Sequence, residues 1–258
     1  VTEHPDVLLP LLPAYGGFSI SHTSKPVQRI PWEDAQKFIP AVPEKGWPHI
    51  WVDAERPMMH GNLILPQGFY TEFRAKIQEA HINAKERIKE IAEQFKKKFG
   101  RDYGNGLVQH YKTQDADAVL ICVGELAIQA EDTVDELRNE GYKVGVLRVR
   151  TYRPFPNEDI VDLAKHVKYI GVVDRATAFG SPTGGAVSSD VMAALFRDPS
   201  TKDVQVIPYI AGLGGRDVTM KEQKQQFMNL ITLKETGKAP ETKDLLFGTY
   251  WTGLLRKK

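Results

Sequence analysis

From residue 116 onward, short apolar runs alternate with stretches of helical spacing, and this alternation limits the possible folds more than any other feature of the chain. Residues 117–123 (DAVLICV), 143–149 (KVGVLRV), 168–174 (KYIGVVD) and 204–210 (VQVIPYI) read as buried strands. After the first, Gly124 turns into a helix with Leu126, Ala130, Val134 and Leu137 on one face, and Gly141 closes it. Asn157 is expected to cap a short helix reaching about His166. A glycine-rich loop from Phe179 to Gly185 leads into a helix near Ser188–Phe196. Thr219 and Glu222 have capping-box spacing ahead of a last helix ending near Leu233. Strands joined through helices over short links form a mostly parallel sheet with helices on both faces. The fold class expected over residues 112–258 is therefore α/β.

The preceding residues have a different character. Ten of the sixteen prolines and three of the four tryptophans (Trp32, Trp47, Trp51) fall within residues 1–66. Proline lacks a backbone donor and interrupts regular ladders, so this stretch is expected to be extended and to build no core of its own. Its tryptophans then pack on a neighbouring domain or subunit, or cover the α/β core. Over residues 69–101, Tyr70, Phe73, Ile77, Ala84, Ile88, Ile91, Phe95 and Phe99 trace one face of a long helix, with Gly100 as its stop. Lys85, Lys89, Lys96 and Lys97 mix with Glu79, Glu86, Glu90 and Glu93 on the other face. The basic end (Lys96, Lys97, Lys98, Arg101) suits the negative pole of the helix and reads as a solvated terminus.

Composition removes several function classes. With 34 basic and 33 acidic residues, the net charge of +1 does not suit a dedicated nucleic-acid binder. No run approaches the ~18–20 apolar residues of a membrane span. Cys122 is the one cysteine, which excludes an internal disulfide framework and a cysteine-rich zinc or iron–sulfur site; its place within a strand marks it as a small buried hydrophobe. The opening residues, with His4, Asp6 and three prolines in the first thirteen, show no signal-peptide pattern, and a cytoplasmic location is expected. Val1 at the start suggests a processed terminus or a piece of something longer.

Candidate sites gather around the strand ends. Gly124-Glu125-Leu126-Ala127 stands where a dinucleotide fingerprint would begin but lacks its second and third glycines, and Glu125 would repel phosphate. Gly212-Leu213-Gly214-Gly215-Arg216-Asp217 either holds an anion at a helix start or forms a turn in which Arg216 and Asp217 brace a loop or partner chain. Arg153, in Arg153-Pro154-Phe155-Pro156, could bind an acid or pair with Asp174. Asp174-Arg175 ends a strand, where open α/β sheets gather ligands, and equally suits a structural ion pair. If the strands run parallel, Arg153, Asp174, Arg175, Arg216 and Asp217 share one edge of the sheet. The reading adopted is a structural or interface cluster, its charges paired within the chain or across a subunit boundary. The alternative is a free-standing module that binds a small acid. His49, Asp53, Glu55 and His60 do not follow a metal-ligand spacing, and no Gly-x-Ser-x-Gly elbow exists. No catalytic, cofactor-binding or metal-ligating residue is expected in this chain.

A fixed order of motifs carries a resemblance. Gly17-Phe18-Ser19-Ile20-Ser21-His22 is followed by Phe69-Tyr70-Thr71-Glu72-Phe73-Arg74 and Phe99-Gly100-Arg101-Asp102-Tyr103-Gly104. Then come Gly141 to Arg148, Arg153-Pro154-Phe155-Pro156, Val172-Val173-Asp174-Arg175 and Gly212 to Asp217. Together they resemble the alpha subunit of the multi-subunit pyruvate:ferredoxin oxidoreductases, with the α/β region similar to the family's transketolase C-terminal-like domain. The resemblance implies oxidative decarboxylation of a 2-oxoacid on thiamine diphosphate and Mg²⁺. Electrons then pass through [4Fe-4S] clusters to ferredoxin, and pyruvate yields acetyl-CoA. It implies thiamine-binding, iron–sulfur and gamma subunits as partners, with none of these cofactors bound by this chain alone. Oxalate oxidoreductase, which needs no coenzyme A, is a close relative and remains an alternative. The family's thiamine-pyrimidine-binding domain and its motifs are not found here. Residues 1–25 resemble its tail, 26–68 a linker on a partner, and 69–101 the long helix. Gly16-Gly17 stands where the family usually has Asp-Gly.

Overall fold

The computed structural model describes residues 1–17, 19–42, 52–55, 57, 61 and 63–255. Phe18, Trp47, His49, Trp51 and His60, named above, lie outside the described residues. The chain forms two compact units, one of Val1–Ala14 with Ser24–Tyr103 and one of Tyr15–Thr23 with Gly104–Lys258.

In the first unit the stretch expected to be extended contains a short helix, α1 (Trp32–Phe38). The reason is local: Pro31 takes the N-cap position, Glu33 and Asp34 fill the first turn, and Lys37 sits in the last. The long helix α2 (Tyr70–Phe99) follows the periodicity closely, and Gly100 ends it in the left-handed conformation, donating to the Lys96 carbonyl. Phe38 packs edge-on against Phe95 and Phe99, with ring centroids 5.8 and 5.3 Å away. Near its middle, Asn83 donates to the Asp6 carbonyl at 3.0 Å and Arg87 reaches the Asp6 carboxylate at 3.1 Å. At the basic end, Lys96 pairs with Asp102 at 2.7 Å and Lys97 with Glu93 at 3.4 Å.

In the second unit the four strands read from the sequence are β2 (Ala118–Val123), β3 (Val144–Val149), β4 (Tyr169–Asp174) and β5 (Gln205–Ile210). They are parallel, as the alternation requires. Three further strands extend the sheet: β1 (Val108–Tyr111), β6 (Leu245–Leu246) and β7 (Thr249–Trp251). The spatial order is β1-β3-β2-β4-β5-β7-β6, with β1 and β6 antiparallel at the two edges. β1 begins four residues before the boundary expected at 112, because it pairs with β3 from outside the alternating region. The helices are α3 (Glu125–Asn139), α4 (Asn157–Ala164), α5 (Ala186–Phe196) and α6 (Met220–Thr236). Asn157 does not cap α4: Pro156 holds the cap position, and Glu158 and Asp159 in the first turn face the helix's positive end instead. The capping box of Thr219 and Glu222 forms as expected.

The core is apolar, with Val119, Leu120, Ile121, Leu137, Phe227 and Leu230 fully buried. Buried amides lock α6 onto it. Gln223 donates to the Leu126 carbonyl at 2.9 Å and accepts from Thr133 at 3.2 Å. The Tyr209 hydroxyl donates to the Gln226 carbonyl at 3.0 Å. These bonds remove the desolvation cost that unpaired amides would impose.

Candidate functional site

β2, β3, β4 and β5 point the same way, so their carboxyl ends share one edge. β3 lies on one side of β2 and β4 on the other. The chain therefore reverses its winding between β2 and β4, and such a switch point is where open α/β sheets hold ligands.

In this chain the switch point is occupied by an ion pair. Glu125 opens α3, Arg175 follows β4, and the Arg175 guanidinium donates to the Glu125 carboxylate. Their side chains are 30% and 19% exposed, Arg175 and Glu125 respectively. Gly16 presses its backbone onto the same carboxylate, and a Cβ at this position would fall on it. A side chain at position 16 would require the Glu125 carboxylate to leave its place beside Arg175.

Asp174 does not pair with Arg153. It ends β4, is 2% exposed, and turns its carboxylate into the start of α5. There it accepts from the Val187 N–H at 2.8 Å, the Ser188 N–H at 3.0 Å and the Ser188 hydroxyl at 2.6 Å. Gly185 makes the approach possible, since a Cβ on it would overlap the Asp174 carboxyl. The glycine-rich loop ahead of α5 therefore delivers a helix N-terminus to an internal carboxylate.

Arg153 pairs instead with Asp190 on α5 at 2.8 Å and lies 4.1 Å over the Tyr152 ring. The Tyr152 hydroxyl donates to the same Asp190 oxygen at 2.6 Å. Burial, and then Asp190 as acceptor, push that hydroxyl up to about 12. Arg216 is exposed and donates to the Gly253 carbonyl at 2.5 Å. Asp217 is exposed, and among the described residues no ion pair joins it to Arg216. The five predicted residues thus share an edge but enter separate partnerships, with Asp174 serving the helix that follows its strand and the three arginines reaching elements further away. Glu125 and Asp190 were not foreseen as partners. The place of Glu125 at the first strand end was a usable signal. Asp190, 37 residues from Arg153, had none.

A pattern emerges along this edge. α3 starts with Glu125, α4 with Glu158 and Asp159, α5 receives Asp174, and α6 is boxed by Glu222. Each positive helix terminus faces a carboxylate of the chain itself, so an incoming phosphate would meet negative charge. The described residues along this edge do not fit a thiamine diphosphate site. They do not fit a cluster either: Cys122 is fully buried within β2, and burial pushes its thiol up to about 12. Among the described residues no group of three or more His, Cys, Asp or Glu could hold a metal ion.

The family model of pyruvate:ferredoxin oxidoreductase core domain II matches residues 116–223, from β2 to the first turn of α6. Pyruvate synthase subunit PorA of Methanocaldococcus jannaschii is 37% identical over 224 residues, 87% of this chain and 55% of that protein. Ketoisovalerate oxidoreductase subunit VorA of Pyrococcus horikoshii is 38% identical over 235 residues, 90% of this chain and 57% of that protein. The chain belongs to the 2-oxoacid:ferredoxin oxidoreductase family. It spans a little over half the length of these relatives. The solved 2-oxoglutarate:ferredoxin oxidoreductase from Magnetococcus marinus is 17% identical, with a TM-score of 0.43, over 66% of this chain and 24% of that one. Within the oxidoreductase family, the pyruvate and ketoisovalerate relatives are equally near, so overall identity does not rank one 2-oxoacid above the other. Among the described residues, no helix is long and apolar enough to cross a membrane.

Proposed function

We propose that this chain is a structural and assembly part of the alpha subunit of a thiamine-diphosphate- and iron–sulfur-dependent 2-oxoacid:ferredoxin oxidoreductase. The proposed reaction is cytoplasmic oxidation of pyruvate to acetyl-CoA, with electrons passing to ferredoxin. Thiamine diphosphate, Mg²⁺ and the [4Fe-4S] clusters belong to the whole complex, with none bound by this chain alone, and this chain alone is inactive. In this reading residues 1–25 adjoin the thiamine-binding domain and residues 26–68 pack on a partner. The observation that carries it is the edge where an α/β domain ordinarily binds its ligand: Glu125, Asp174 and Glu222 already meet the helix starts there. A domain whose anion sites are filled from within contributes surface and rigidity rather than cofactor chemistry.

The test has two arms. Calorimetry of the isolated chain with thiamine diphosphate and Mg²⁺ is expected to show no saturable heat. The chain purified together with the products of its neighbouring reading frames is expected to reduce ferredoxin with pyruvate and coenzyme A. Micromolar thiamine diphosphate binding by the chain alone, or a chain that joins no such assembly, overturns the assignment.

A further inference from the structure

The carboxyl edge has one feature that its ion pairs and helix caps do not explain. The loop Thr177–Gly184 and the hairpin of β6 and β7 enclose a groove of about 560 Å³, lined by Phe179, Pro182, Leu246, Phe247, Thr249 and Trp251 among others. No charged side chain lines it, although 26% of the chain is charged. Phe179 is 90% exposed and Phe247 is 99% exposed.

Phe247 also occupies an unfavourable position. Leu246 pairs with Thr249, so Phe247 and Gly248 form a two-residue turn, with φ of 51° and 80°. Such turns favour Asn, Asp or Gly first, because a bulky residue resists positive φ. The chain therefore carries an aromatic ring where both backbone and solvent disfavour it. Its supports are braced: Ala178 donates to the Gly184 carbonyl at 2.8 Å, Ser181 to the Ala178 carbonyl at 2.9 Å, and Trp251 to the Asp244 carbonyl at 2.8 Å.

We propose that this groove, with Phe247 and Phe179 as its two knobs, is the docking surface for an uncharged, apolar patch on another subunit of the complex; this rests on the subunit reading above. Charge complementarity selects the partner's chemistry. A charged patch would be desolvated here without a counter-charge, and interface cores are depleted in charge and rich in aromatic anchors. A small ligand inside the groove would leave the Phe247 ring in water. A polypeptide surface laid over the groove covers the outward faces of both rings, which are 90% and 99% exposed.

The test co-expresses the full chain with the products of its neighbouring reading frames and measures the assembled fraction by size exclusion with light scattering. Wild type is expected to assemble, Phe247→Asp to lower the assembled fraction at least tenfold, and Phe247→Leu to retain it. Thermal melts of each isolated variant, expected to match wild type, report the fold. Phe179→Asp supplies an independent knob. If wild type assembles and both Asp variants assemble equally well, the docking surface is wrong and the subunit reading stands. If wild type joins no assembly, the subunit reading fails and this inference with it. An isolated chain that dimerises, and that Phe247→Asp returns to monomer, assigns the groove to a second copy and overturns the proposal.

Discussion

α2 and α3 carry the same kind of apolar spacing and bury very different amounts of it. In α3 the residues Leu126, Ala127, Ala130, Thr133, Val134 and Leu137 are buried within a helix of 15 residues. In α2, Ala84 is the one buried residue among 30, while Ile77 on the same face is 38% exposed. Periodicity specifies which face a helix would bury and not whether anything covers that face. The support for the two helices differs accordingly. α3 is held by the sheet and by α6. α2 depends more on pairs along its own surface, such as Arg87–Glu90 at 2.8 Å and Lys89–Glu86 at 3.6 Å, each contributing about 0.2–0.5 kcal/mol.

The sharpest way to break this comparison is to truncate one apolar residue in each helix. Leu137 is fully buried, and Leu137→Ala is expected to cost about 2–5 kcal/mol through lost burial and the cavity left behind. Ile77→Ala, on the apolar face of α2, should stay within about 0.5 kcal/mol because that side chain is already exposed. Urea unfolding of the full chain, with hydrogen exchange to assign the loss to each helix, measures both. Comparable costs at the two positions would mean that the α2 face is covered in solution.

A smaller effect concerns the helix starts. α2 begins at Phe69 with no side-chain cap, whereas α5 borrows Asp174 from the preceding strand. Asp174→Ala is expected to cost about 1–2 kcal/mol, the usual range for removing a cap. Gly185→Ala should cost a similar amount because its methyl group collides with the Asp174 carboxyl. Combined, the two changes should cost less than their sum, because the collision disappears with the carboxylate. Strict additivity in chemical denaturation would remove Asp174 from the start of α5.

These positions also show what the sequence could reveal. The four parallel strands and their helices were legible because apolar runs and helical spacing report burial within contiguous residues. β1, β6 and β7 were not, since they have four, two and three residues, and β1 and β7 gain their order by pairing with strands about 40 residues away. The shared edge of Arg153, Asp174 and Arg216 followed from strand direction alone. Their partners did not, because Asp190, the α5 amides and the Gly253 carbonyl are reached through tertiary packing. α1 carried readable signals in Pro31, Glu33 and Lys37, but the density of prolines around it masked them.

The smallest expected effect is an acid-side slope that belongs to the sheet unit. Lys112 bonds the Asp135 carboxylate at 2.6 Å, with the Tyr111 hydroxyl as a second donor at 2.9 Å. Arg138 bonds Asp115 at 2.7 Å. These hydrogen bonds, first from Lys112 and from Arg138 respectively, hold both carboxyls below their ordinary value of 3.8. A carboxyl lowered in the folded state favours folding above its unfolded value. That contribution disappears as pH falls through the lower folded value. The melting temperature should therefore decline from about pH 5 toward about pH 3, and Asp135→Asn should flatten part of that decline. The change should be slight and should shrink further in high salt, because both carboxylates are exposed and screened. Asp135 joins α3 to the edge strand β1, so the effect should appear in exchange of the β1 amides and leave α2 unchanged. An Asp135→Asn variant with the wild-type pH slope, or a matching change in α2, would show that this pair does not stabilise the edge of the sheet.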